Sequence, residues 1–300
     1  MRICAIDVGT NTVNSLVADL AHGRLVVLAD DERFARLGQG VDRAGRLAPE
    51  AMDRVVDRLA QSLATARGLG VERVVIGATS ASRDASNVGE LQARVRDELG
   101  LDYAVITGAD EARLSFLGAL AMLPAVPRAV VFDVGGGSTE IASGARGAAP
   151  AFARSLNVGT VRLTERHGAV PPVDPGLDGS GPLAAVAADV RAALAEIPPE
   201  VWVDGPLVGT GSTAKVIAHL AGGSDVPLAQ IRASRERLAT LSPEAITALA
   251  PDVMTGRADV ALSALVIVQT ILEASGAERF VASAGGLRHG LALEAASAAP

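Results

Sequence analysis

Residues 130–140, V-V-F-D-V-G-G-G-S-T-E, place two carboxylates, three glycines and two hydroxyls in one short stretch. An apolar run entering Asp133, then glycines, then Glu140 predicts a buried strand, a tight turn and a returning strand. Glycines at 135, 136 and 137 let a backbone come close to a ligand. Their N–H groups, with the hydroxyls of Ser138 and Thr139, can surround an anion. Asp133 and Glu140 suit a hard cation such as Mg²⁺, which keeps several waters and takes one or two carboxylates plus substrate phosphates. The plain alternative is a glycine-rich hairpin with two solvated acids. Against it stands residues 3–12, I-C-A-I-D-V-G-T-N-T, where Asp7, Gly9, Thr10, Asn11 and Thr12 repeat the grammar. The matching aspartates lie at positions 7 and 133 of 300. A repeat this long predicts a duplicated domain, with both turns clamping one phosphorylated ligand.

Three further segments carry candidate chemistry. Residues 78–87, A-T-S-A-S-R-D-A-S-N, follow a strand and present Arg83, either to a phosphate or simply to solvent. Residues 107–114, T-G-A-D-E-A-R-L, open a helix with Asp110 and Glu111. The alternative for both acids is simply to help start the helix, since acids in a first turn complement the helix dipole. Residues 209–213, G-T-G-S-T, form a third strand–glycine–helix turn in which Gly209, Gly211 and Ser212 can meet a phosphate at a helix N-terminus. Lys215, the single lysine, is either a point charge for that phosphate or an exposed helix residue. Histidines 22, 167, 219 and 289 have no metal-ligand spacing, and no G-x-S-x-G elbow is present. Histidine- or serine-based mechanisms are therefore disfavoured.

The elements that must position these residues follow from patterning. Strands at 2–8, 12–20 and 25–29 should form an antiparallel set, with turns near Asn11 and at 22–23. Residues 34–45 read as a loop. Met52, Val55, Val56, Leu59 and Leu63 mark a helix over 48–66, followed by a strand at 73–77, a helix through Leu91, Val95 and Leu99, and a strand at 103–106. The helix from 107 runs to about 123. Two prolines at 124–127 suggest the boundary, giving domains 1–124 and 125–300. The second half should contain strands at 128–134, 140–143 and 152–157, a helix to 166, a loop over 167–181, and helices at 184–197, 238–249 and 258–274. A strand at 280–283 precedes a terminal helix near 287–300, able to pack back on the first domain.

Length and composition bound the function. Three hundred residues suggest about two domains, and 49% hydrophobic with 20% charged residues is a globular profile. Net charge −7 and 2% aromatics disfavour nucleic acid, which requires a basic surface and stacking rings. An anionic substrate would need a local basic channel. Cys4 is the single cysteine, which excludes an intrachain disulfide and suits a reducing cytoplasm. No secretory signal is expected, and the apolar stretch 260–272 reads as a buried helix too short for a membrane.

Taken together, D-V-G-T-N-T, R-L-G-Q-G, A-T-S-A-S-R-D-A-S-N, T-G-A-D-E-A-R-L, D-V-G-G-G-S-T-E, G-T-G-S-T and G-G-L-R-H-G resemble, in order and along nearly the whole chain, the exopolyphosphatase / guanosine pentaphosphate phosphohydrolase (Ppx/GppA) family. The resemblance implies an α/β fold of two duplicated ribonuclease-H-like domains of the actin-like ATPase and sugar-kinase superfamily, with mixed sheets flanked by helices and an active site in the interdomain cleft. It implies Mg²⁺-dependent removal of terminal phosphate from inorganic polyphosphate, or of the 5′ phosphate from guanosine pentaphosphate, with Mn²⁺ as a second cation and ADP or ATP as further ligands. By motif, Glu111 corresponds to the catalytic glutamate acting on water, and Asp133 and Glu140 to the metal and active-site carboxylates. Arg83 matches the arginine near the phosphate, and Ser138 the hydroxyl of the second loop. Two departures stand out: Thr10 replaces the usual serine, and Asp110–Glu111 replaces a glutamate pair, which favours Glu111 as the base. The chain resembles the short, two-domain type, for which short polyphosphate and weak processivity are expected. A homodimer is implied by the family alone. Rival readings are a sugar- or acetate-type kinase, an alarmone-sensing regulator with weak catalysis, and an actin-like scaffold.

Overall fold

The computed structural model describes residues 1–21 and 24–297; the expected turn at 22–23 and the last residues of the terminal helix lie outside these. The first sheet contains β1 (Arg2–Val8), β2 (Thr12–Ala21), β3 (Arg24–Phe34), β4 (Arg73–Ala78) and β5 (Ala104–Val105), ordered β3-β2-β1-β4-β5. The second contains β6 (Arg128–Val134), β7 (Thr139–Ala145), β8 (Phe152–Leu156), β9 (Leu207–Thr210), β10 (Asp225–Pro227) and β11 (Arg279–Ala282). Its order, read from the matching edge, is β8-β7-β6-β9-β11-β10. In each sheet a central strand pairs antiparallel with its successor on one side and parallel with a later strand on the other. The second sheet is the first plus one short edge strand.

The duplication extends to register. Asp7 pairs with Asn14 across β1–β2, and Asp133 with Glu140 across β6–β7. Each hairpin closes through one backbone bond of the same kind: Gly9 N donates to Thr12 O and Gly135 N to Ser138 O, both at 2.9 Å. The central strands are buried on both faces, which accounts for their nearly continuous apolar runs.

Each half has its own core. In the first, Ile6, Val55, Leu59, Leu91 and Val95 pack the helices Pro49–Gly68 and Val88–Leu99 on one face of the sheet. In the second, Phe132, Ile141, Val190 and Phe280 pack with Leu265 and Ile267 of the helix Ala261–Ser275. With the short turn before it, this helix makes an 18-residue apolar stretch, Ala258–Ser275, longer than the pattern suggested and long enough to cross a bilayer. Two-thirds of it is buried within the protein, as befits a core helix.

Two helices between the sheets tie the halves together. The helix Gly108–Ala121 sends Phe116, Ala119 and Leu120 against Val131, Ala142 and Val208 of the second sheet. The helix Leu287–Ser297 sends Leu287, Leu291 and Ala292 against Ile3, Ala5 and Leu16 of the first, alongside Leu114. They touch backbone to backbone, since a Cβ at Gly118 would overlap the Gly286 carbonyl and one at Gly290 the Leu114 carbonyl.

Some local expectations need correction. β3 runs to Phe34, beyond the expected 25–29. The stretch expected to be a loop contains a short helix, Val41–Ala44. The expected helix 238–249 is instead two, Leu228–Ala239 and Pro243–Leu249. Ser242 caps the second by accepting from Ala245 N, and Pro243 sits at its first position, where a missing N–H costs nothing.

Candidate active site

The two hairpin tips meet. A Cβ on Gly137 would lie 2.5 Å from Ser80 Oγ and 2.7 Å from Thr10 Oγ1. Only glycine allows the second loop to approach the first this closely. The loop carbonyls are engaged elsewhere in the protein. Gly135 O accepts from Thr160 N, and Gly136 O from Val161 N and Arg162 N. Arg162 Nε donates to Gly137 O at 2.6 Å. In the first loop Thr10 O accepts from Gly38 N, and Asn11 O from Ala35 N and Arg36 N. Apart from Gly9 N and Gly135 N, which close the hairpins, what the loops have left to offer an anion is their other amides and the hydroxyls of Thr10 and Ser138.

One cleft is lined by Asp7, Gly9, Thr10, Asn11 and Thr12 from the first hairpin, and by Asp133, Gly135, Gly136, Gly137, Ser138 and Glu140 from the second. Gly211, Ser212 and Glu111 line it as well, and it encloses about 120 Å³. Arg162 clasps the arrangement from the side, bridging the second loop to Asp42, Asp84 and Ser80 of the first half.

Glu111 and Asp110 part company at the helix start. Asp110 N donates to Thr107 Oγ1 at 3.1 Å, and its carboxylate lies near Arg113. It is half-exposed and serves the helix end. Glu111, 7% exposed, turns into the cleft. Arg83 Nη1 donates to Glu111 Oε2 at 2.6 Å and to Ile106 O at 3.2 Å. Arg83 does not itself line the cleft; it reaches the site through Glu111.

Every inward carboxylate is braced by a neutral donor or a cation. Asn14 Nδ2 donates to Asp7 Oδ2 at 3.0 Å, Ser115 Oγ to Asp133 Oδ2 at 2.8 Å, and Ser155 Oγ to Glu140 Oε1 at 2.6 Å. Burial pushes Asp7 up to about 7. It pushes Glu111 up to about 8, although the Arg83 guanidinium pulls the other way. Burial, then repulsion from Glu111 and Asp133, holds Glu140 well above the ordinary range, and burial raises Asp133 too. Acids crowded in this way favour their charged form only beside a cation or donors.

The residues fit a hard divalent cation in chemistry: oxygen donors, buried, mutually repelling. Among the described residues no three acidic, histidine or cysteine side chains are close enough to make a complete protein cage. A Mg²⁺ site of one or two carboxylates, completed by water and substrate oxygens, does not require such a cage.

Two more expected site residues lie elsewhere. Thr139 is fully buried and its hydroxyl donates to Val158 O at 2.6 Å. Strand alternation sends it to the face opposite Ser138 and Glu140. Gly209 is packed between Phe132 and Phe280, where a Cβ would lie within 2.8 Å of both rings. Its role is to admit that edge-to-face pair, whose centroids are 5.2 Å apart. Sequence reasoning missed Asn14, Ser115, Ser155, Glu32, Arg257 and Arg288. Asn14 was recoverable, because it occupies the repeat position of Glu140.

Two halves of one topology, with acid-bearing hairpins facing each other across a cleft, define a protein of the actin-like ATPase fold. The chain belongs to the Ppx/GppA phosphatase family, whose sequence model matches residues 16–298. It is 35% identical to Exopolyphosphatase 2 of Mycobacterium tuberculosis, with 98% of each chain covered. An exopolyphosphatase from Cytophaga hutchinsonii superposes with TM-score 0.87 at 26% identity, over 98% of both chains. The Ppx/GppA family member of Aquifex aeolicus superposes with TM-score 0.80 at 27% identity, over 99% of this chain and 98% of that one.

Proposed function

We propose that the chain is an exopolyphosphatase that hydrolyses the terminal phosphoanhydride of inorganic polyphosphate and releases orthophosphate. The observation that carries this reading is the buried, arginine-held Glu111 facing the cleft where the Thr10 and Gly137 loops touch. Phosphoryl transfer to water asks mainly for positioning and charge neutralisation. The loop amides and the hydroxyls of Thr10 and Ser138 hold the terminal phosphate, as preorganised donors do elsewhere. Glu111 orients the attacking water and accepts its proton at Oε, with Arg83 fixing the carboxylate's direction. Asp133 and Glu140 are the residues that hold Mg²⁺, or Mn²⁺ in its place. When bound, that ion neutralises phosphate oxygens. The substrates are short chains, since the cationic lining beyond the loops consists of Lys215, Arg257 and Arg288. A cytoplasmic homodimer completes the reading, by family likeness and by the lone, buried Cys4.

A specific observation favours a second reading. Beyond the third glycine turn the cleft wall turns apolar, with Val216, Ile217, Leu220, Met254 and Leu265. Such a wall suits a nucleobase, and so guanosine pentaphosphate as substrate or ADP and ATP as ligands. Hydrolysis of short polyphosphate, long polyphosphate and guanosine pentaphosphate, compared side by side with Mg²⁺, separates the readings. Fastest release from short polyphosphate is expected. Release from guanosine pentaphosphate alone would install the second reading, and transfer to a sugar or acetate acceptor would make the protein a kinase.

A further inference from the structure

The third glycine turn, residues 209–213, is engaged through Ser212 by a carboxylate of the protein itself. Glu32 lies on β3, the outer strand of the first sheet. Its Oε1 accepts from Ser212 Oγ at 2.7 Å, and its Oε2 lies 2.9 Å from Arg257 Nη2. Both partners belong to the second half, and all three residues line the cleft. Arg257 is 15% exposed and stacks on Phe34, its guanidinium carbon 5.0 Å from the ring centroid. Its Nε is buried and meets no acceptor among the described residues. A guanidinium fixed on an aromatic face, beside a helix-start hydroxyl and already gripping a carboxylate through Nη2, is a phosphate-binding arrangement. Two residues earlier on the same face of β3, Asp30 lies 2.7 Å from Arg288 Nη2 and 4.0 Å from Lys215 Nζ. The Arg288 Nε is likewise buried and unpaired among the described residues.

We propose that Glu32 is an exchangeable counter-ion, occupying the Ser212–Arg257 phosphate position until an incoming chain phosphate displaces it. This rests on the exopolyphosphatase reading and deepens it. A ligand must carry a second anionic group, beyond the one held at the hairpin loops, to offset the lost Glu32 contacts. Chains of three or more phosphates meet that demand, whereas orthophosphate and simple monoesters do not. The arrangement therefore discriminates against the product, and it joins the two halves across the cleft mouth only while the cleft is empty of chain.

Calorimetric titration with Mg²⁺-tripolyphosphate tests this in the Glu111→Gln background, where the ligand is not consumed. Glu32→Gln should bind tripolyphosphate about fivefold tighter, the scale of releasing one partly exposed ion pair, and orthophosphate with a smaller gain. Asp225→Asn removes the same charge on the far edge strand, where Asp225 pairs with Arg279, and should leave the affinity unchanged. With Arg257→Gln also present, the gain from Glu32→Gln should largely vanish, because the competed cation is gone. Unchanged or weaker binding in Glu32→Gln overturns the proposal. So does a gain of equal size with Arg257 removed, which would mark a through-space charge effect, and so does failure of either protein to bind tripolyphosphate. A chain that binds in the expected pattern yet releases no phosphate as wild type keeps the exchange and loses the exopolyphosphatase activity; rapid hydrolysis with no Glu32 effect does the reverse.

Discussion

Arg83 Nη1 stands 2.6 Å from Glu111 Oε2 and also reaches the Ile106 carbonyl, so the cation anchors a carboxylate whose pKa burial raises and the guanidinium pulls part of the way back. Arg83 lies on the short helix Ser80–Asp84 that follows β4 in the first half, and Glu111 on the helix that crosses to the second sheet. The contact thus fixes the proposed base at the seam between the two halves.

This pair sets the pH dependence of turnover. Glu111 must be ionised to accept a proton, and burial holds it at about 8, so kcat/KM should rise with pH and level off above about 8. Arg83→Gln removes the opposing cation and should move that limb further toward alkaline pH. Each unit of movement costs about tenfold in rate at pH 7. If Arg83 instead grips the phosphate directly, KM would rise and the limb would stay in place.

The same acids make the protein's stability fall with pH. Their folded pKa values lie above the ordinary carboxylate range, with Asp7 about 7 and Glu111 about 8. The native state therefore binds protons more tightly than the unfolded chain. Linkage makes that contribution fully favourable below about pH 4, and it is lost as pH climbs toward about 8. Without divalent cation the Tm should drop between pH 5 and 8.5. Mg²⁺ should restore it more at pH 8.5 than at pH 5, and Asp133→Asn should blunt that restoration. A Tm that is flat or rising over this range, or one indifferent to Mg²⁺ at pH 8.5, would contradict the assignment of these carboxylates.

The crossed helices should be intolerant of a single methyl group. Gly118→Ala and Gly290→Ala each place a carbon on a backbone carbonyl of the neighbouring chain segment, and each should lower unfolding stability by about 1–3 kcal/mol in urea titration. Gly89→Ala, exposed in the helix Val88–Leu99 with no atom near its Cβ position, should instead stabilise by about 0.5–1 kcal/mol. Equal behaviour of all three would mean the helices are not in backbone contact.

Much of this architecture was legible because its signal is local. Asp7-Val-Gly and Asp133-Val-Gly announced the duplication, and the two hairpins do share register and closure. Asn14 escaped notice because an amide does not read as an active-site acid, although the repeat gives it the position equivalent to Glu140. The strand period of two, applied to Ser138, Thr139 and Glu140, would have turned Thr139 inward. β3 was cut short because its Asp30, Asp31, Glu32 and Arg33 resemble a solvated loop. They sit on an outer strand, where two of the acids face cations from distant positions. Arg257 and Arg288 meet Glu32 and Asp30 from more than 200 residues away in sequence, and no local pattern carries such a pairing. The partition of Asp110 from Glu111 was equally hidden, since helix-start chemistry suits both.

We place hydrolysis at one site, shared by both halves and worked by Glu111. The most direct test of that placement is orthophosphate release from short polyphosphate with Mg²⁺, measured for the wild-type chain and for Glu111→Gln, with tripolyphosphate affinity measured on both. A turnover loss of about 10²–10⁴ is expected, the range for removing a general base, with affinity retained. Undiminished turnover in Glu111→Gln would contradict that placement.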